Sequence, residues 1–124
     1  MILDTNAVSA LADGDPAISS SLALADELVL PVIVLAEFRY GINQSRHRLR
    51  YQAWLAELIG VSRILDVDRL TADSYAAIRA ELKGQPIPAN DLWIAALARQ
   101  HRLPILSRNH HFDAVPGLRR LTWP

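Results

Sequence analysis

Met1-Ile2-Leu3-Asp4-Thr5-Asn6 opens the chain with an apolar run that stops abruptly in a carboxylate, a hydroxyl and an amide. Consecutive apolar residues without alternation belong to strands covered on both faces, as in parallel sheets. Further short runs of this kind predict strands over Met1–Leu3, Glu27–Leu30, Ile64–Asp66, Pro104–Leu106 and Arg119–Leu121. The longer segments between them repeat their apolar residues at helical spacing, near Ala7–Ala12, Pro16–Ala25, Val32–Gln44, Arg46–Ile59, Arg69–Leu82 and Asp91–His101. Strands alternating with helices predict an α/β fold, a central parallel sheet of about five strands flanked by helices. Lys83-Gly84-Gln85-Pro86-Ile87-Pro88 reads as a loop, because its prolines and glycine cannot continue a helix.

The chain has 124 residues, 51% hydrophobic and 21% charged, which suits one domain over residues 1–124 and excludes disorder and coiled coil. It lacks cysteine, so disulfides and thiolate metal sites are excluded. The start carries no basic signal-like region, and the longest apolar run, Leu28 to Ala36, is too short to span a bilayer. We expect a soluble, unexported, cytoplasmic protein. The net charge is zero, yet residues 1–45 hold six acids and one base while residues 46–124 hold seven acids and twelve bases. That asymmetry predicts an acidic pocket beside a basic surface.

Four polar residues stand at the ends of apolar segments: Asp4, Glu37, Asp91 and Asn109. Each falls near a strand C-terminus or a helix N-terminus, the edge at which open α/β sheets build their sites. Three are acids, and several buried carboxylates raise one another's pKa unless a hard cation compensates them. Thr5 and Asn6 could hold Asp4 by hydrogen bonds; equally, Asp4 or Asn6 could do no more than cap the following helix. Glu37 lies within Ile33-Val34-Leu35-Ala36-Glu37-Phe38 with Gly41, not a base, four residues on. Asp91 opens Asp91-Leu92-Trp93-Ile94-Ala95-Ala96-Leu97, with Asn90 as the expected N-cap, where an acid also complements the helix dipole. His110 and His111 are expected to be solvated or structural, since adjacent side chains diverge. Arg46-His47-Arg48-Leu49-Arg50 is either a solvated helical face or a surface for a phosphate-bearing or acidic partner. Trp54, Trp93 and Trp123 are expected in packing roles.

Met1-Ile2-Leu3-Asp4-Thr5-Asn6, Leu35-Ala36-Glu37-Phe38-Arg39-Tyr40-Gly41, Ile87-Pro88-Ala89-Asn90-Asp91-Leu92-Trp93-Ile94-Ala95-Ala96 and the stretch from Leu106-Ser107-Arg108-Asn109 through Asp113 to Leu118 resemble, in order, the four signature blocks of PIN-domain ribonucleases of the VapC toxin type. The resemblance implies a PIN-like three-layer α/β/α fold and Mg²⁺ or Mn²⁺ held by Asp4, Glu37 and Asp91. It also implies RNA cleavage leaving a 5′-phosphate and a 3′-hydroxyl, a homodimer, and a cognate antitoxin. Thr5, Asn6, Asn90, Ser107 and Asp113 are the supporting residues it suggests. The fourth block commonly carries an acid where this chain has Asn109; its amide could give a neutral oxygen or hold a metal-bound water, and nearby Asp113 could substitute. Two other readings remain open: a PIN fold that binds RNA or a partner without efficient cleavage, and a phosphohydrolase with Asp4 as nucleophile. The second expects another acid two residues on, where this chain has Asn6.

Overall fold

In a computed structural model covering residues 1–124, five strands form one wholly parallel sheet: β1 (Ile2–Leu3), β2 (Leu28–Pro31), β3 (Ser62–Leu65), β4 (Ile105–Leu106) and β5 (Arg120–Leu121), in the order β3-β2-β1-β4-β5. Six helices cover it: α1 (Thr5–Ala12), α2 (Pro16–Leu22), α3 (Val32–Asn43), α4 (Arg48–Gly60), α5 (Arg69–Glu81) and α6 (Ala89–His101). This is the expected α/β/α arrangement. β1 lies at the centre, with Ile2 level with Val29 on one side and Ile105 on the other, and Leu3 level with Leu106. Ile2 and Leu3 are fully buried, as a strand flanked on both edges and covered on both faces must be. The chain order reverses across β1 and β4, so a crevice is expected beyond their C-terminal ends.

The elements differ from the sequence expectation where local chemistry decides a boundary. α1 starts at Thr5 because the Asp4 side chain accepts from the Thr5 amide at 2.8 Å and caps it. α6 starts at Ala89, with Pro88 and not Asn90 as its N-cap: the proline ring fixes an extended-to-helical entry, and Asn90 lies exposed inside the first turn. α4 starts at Arg48, because Ser45 accepts from the His47 amide and holds Arg46 and His47 in a turn. β3 begins at Ser62 as an edge strand whose exposed Arg63 pairs with Glu27 at 3.3 Å, a polar start that conceals it in the sequence.

One hydrophobic cluster of 27 buried residues runs through both faces of the sheet. Trp123 is buried within it, Trp54 packs on Phe38 with ring centroids 5.8 Å apart, and Trp93 stacks on Tyr75 at 4.2 Å. All three tryptophans therefore pack, as expected. Phe112 is fully buried and pins a 3-10 turn, His110–Ala114, to the core. Phe112→Ala should cost about 3–5 kcal/mol of unfolding free energy in urea titrations. A loss of less than about 1 kcal/mol would show that this turn is not anchored by its aromatic ring.

Candidate active site

Asp4 is the only carboxylate in the chain that is fully buried, 4% exposed at the end of β1. Its Oδ1 accepts from the Thr5 amide at 2.8 Å; its Oδ2 accepts from the Ser107 hydroxyl at 2.6 Å and, more distantly, from Asn6 Nδ2 at 3.4 Å. Ser107 is itself fully buried just past β4, and its Oγ accepts from the Asn109 amide at 2.9 Å. Asn6 completes the net, its Oδ1 accepting from the Arg108 amide at 3.3 Å. Asp4 is therefore both a helix cap and a buried charge; the two sequence readings describe one residue.

Glu37 reaches the same place from the second turn of α3, and Asp91 from the first turn of α6. Burial pushes the Asp4 carboxyl above its ordinary value, with the Ser107 and Thr5 hydrogen bonds opposing and the Asp91 charge adding to the rise. Burial also raises Glu37, helped by the negative charges of Asp4 and Asp91. Thr5 Oγ1 is buried with no partner at bonding distance, yet close enough to Glu37 to favour its charged form slightly. Asp4 thus feels the Asp91 charge, and Glu37 feels the charges of both Asp4 and Asp91. No lysine or arginine pairs with any of them; the arginine ion pairs lie at Glu27, Glu81 and Asp113. No group of three His or acid side chains stands at metal-ligand spacing, so the acids face one another without closing into a cage.

The fourth block is arranged differently from the expectation. Asn109 does not turn its oxygen into the pocket: Oδ1 accepts from the His111 amide at 3.0 Å and caps the 3-10 turn, while Nδ2 donates to Asp91 Oδ2 at 2.9 Å. Asp113 does not substitute for the missing acid. Arg120 engages both its oxygens, at 2.8 and 3.1 Å, and also donates to the Ser107 carbonyl at 2.9 Å. That guanidinium holds the Asp113 carboxyl below its usual range and locks the turn against β4. His111 is the residue the sequence did not bring forward: its Nδ1 stands 2.9 Å from Asp91 Oδ2. Adjacent histidines do diverge, since His110 instead meets Asp113 at 3.1 Å. The 3-10 turn, illegible as a periodic pattern, is what aims one of them inward.

Beside Thr5 and Glu37 opens a groove of about 240 Å³, walled by Phe38, Ile42 and Tyr51. The basic run Arg46, Arg48 and Arg50 is exposed throughout at the start of α4.

The PIN-domain model matches residues 1–118. Ribonuclease VapC5 of Mycobacterium tuberculosis is 32% identical over 120 residues, covering 94% of this chain and 87% of the relative. A solved structure of VapBC2 from Rickettsia felis, bound to a DNA fragment from its promoter, superposes with a TM-score of 0.90 at 28% identity, over 99% of this chain and 98% of that one. A member of the VapBC family of toxin-antitoxin systems, VapBC-5 from Mycobacterium tuberculosis, superposes at 0.75 with 28% identity over 98% and 94%.

Because folding raises the Asp4 pKa, its charge weakens the metal-free fold above the raised value and has no such effect below the ordinary one. Asp4→Asn removes that charge while keeping an oxygen for the Thr5 amide. In EDTA, its melting temperature relative to the native chain should rise as pH increases through the interval between the ordinary and raised values. A difference that stays flat or falls with pH would contradict the burial penalty.

Proposed function

The chain belongs to the PIN-domain family, in its VapC branch, and from that premise we propose that it is a divalent-metal-dependent endoribonuclease, the toxin of a toxin-antitoxin pair acting in the cytoplasm. The observation that carries this reading is that Asp4, Glu37 and Asp91, from three separate elements, lie close enough for their charges to act on one another, with no lysine or arginine paired to them. Hard oxygen donors of like charge, with a buried unpartnered hydroxyl at Thr5, fit a divalent cation. Asp4, Glu37 and Asp91 would hold Mg²⁺ or Mn²⁺. The bound ion supplies Lewis acidity and charge neutralisation at the scissile phosphate.

This chain's own residues do the positioning. Ser107 and Asn6 fix the Asp4 carboxylate, and the Arg120–Asp113 pair holds the turn that carries Asn109. The acids repel a polyanion, so the flanking phosphates need cations on the rim, and the exposed Arg46, Arg48 and Arg50 supply them for RNA or for an acidic stretch of the antitoxin. The relative named a ribonuclease and the neighbours solved as VapBC support RNA as substrate and an antitoxin as partner. We take the functional unit to be a homodimer. No helix is long and apolar enough to cross a membrane.

Purified protein incubated with total RNA and Mg²⁺ or Mn²⁺ should cleave it. EDTA, Asp4→Asn and Asp91→Asn should each lower the rate by about 100-fold or more, since metal stabilisation of several kcal/mol is lost and about 1.4 kcal/mol is tenfold. Undiminished cleavage in EDTA or in both variants would sink the reading. Separately, reversing Arg46, Arg48 and Arg50 to Glu should weaken binding to RNA or to the antitoxin and flatten its salt dependence; unchanged affinity for both at low salt would leave the run a solvated face.

A further inference from the structure

The two aspartates of the pocket are held asymmetrically. A carboxylate oxygen offers about two lone-pair sites. On Asp91, Oδ2 receives both Asn109 Nδ2 and His111 Nδ1, each at 2.9 Å, and no hydrogen bond is made to Oδ1. On Asp4, Oδ2 receives the Ser107 hydroxyl at 2.6 Å and Asn6 Nδ2 at 3.4 Å, while Oδ1 receives only the Thr5 amide at 2.8 Å. In each residue one oxygen is closed and the other keeps a free lone pair.

We infer that Asn109 and His111 are positioning residues and not ligands, and that the site takes a single divalent cation, to which Asp91 and Asp4 each offer Oδ1 beside the Glu37 carboxylate. This rests on the metal-dependent reading above. A carboxylate that bridges an ion pair through both its oxygens must give one to each ion, and neither aspartate has both available. The Asn109 side chain is engaged at both ends, its oxygen accepting from the His111 amide at 3.0 Å and its nitrogen donating to Asp91 Oδ2 at 2.9 Å. The imidazole thus faces Asp91 and donates a hydrogen bond to its carboxylate. It is about half exposed, so its position depends on that bond as much as on packing.

The test is Mn²⁺ titration of the full chain, following free and bound ion by electron paramagnetic resonance. The native chain should take up one Mn²⁺. His111→Asn, whose amide places an N–H close to the position of Nδ1, should bind like the native chain, whereas His111→Ala should bind roughly 10- to 100-fold more weakly, the loss typical of an outer partner to a ligand. His111→Gln, which moves the donor without emptying the space, should also bind more weakly, and melting curves of each sample verify that it is folded. Two ions per native chain, equal weakening of His111→Asn and His111→Ala, or native affinity in His111→Ala would each overturn the inference. If RNA cleavage by the native chain is still abolished by EDTA, the metal-dependent reading survives any of those results. No Mn²⁺ uptake by the native chain would overturn both.

Discussion

Burial of the Asp4 carboxylate is the constraint around which the rest of the site is organised. A charge at 4% exposure must be surrounded by donors, and the donors come from well-separated parts of the chain: Thr5 next to it and Ser107, 103 positions away. Satisfying Asp4 therefore ties the start of α1 to the end of β4. The same Ser107 oxygen accepts from the Asn109 amide, and the Ser107 carbonyl accepts from Arg120. The hydrogen bonds that solvate one buried charge thereby fix the loop that faces Asp91.

Those donors reduce the electrostatic cost without removing it. Asp4 and Glu37 both remain harder to ionise than an ordinary carboxyl, and burial is the first cause in each case. The uneven charge along the chain acquires a spatial meaning here. The acids of Asp4 and Glu37 come from the acid-rich first third, Arg120 and Arg99 are spent on Asp113 and Glu81, and Arg46, Arg48 and Arg50 stay exposed. A cluster of acids suits a polyanionic substrate only when a cation neutralises it.

Much of this was legible in the sequence, and what was not shares a physical cause. The strand β1 and the anomaly of Asp4 at its end are visible because an uninterrupted apolar run ending in a carboxylate is a local signal. Glu37 and Asp91 are visible as acids in apolar helices. The roles within the fourth block are not: whether Asn109 presents its oxygen or its amide, and which of His110 and His111 turns inward, depend on a 3-10 turn with no periodic signature. Asp113 looked available because its partner, Arg120, is brought to it by the pairing of β5 with β4. Asn90 looked like a cap because asparagine favours that position, but α6 begins at Ala89, with Pro88 as N-cap and Asn90 inside the first turn.

The central claim is that the carboxylate cluster is a cation site whose mutual repulsion a divalent ion relieves. The most direct measurement is the melting temperature of the native chain, Asp4→Asn and Asp91→Asn in EDTA and in rising Mn²⁺. Saturation to about 100 times the dissociation constant should stabilise the native fold by about 2.7 kcal/mol, and either variant by much less. A native melting temperature that is the same in EDTA and in millimolar Mn²⁺, or one that rises equally in both variants, would contradict the account.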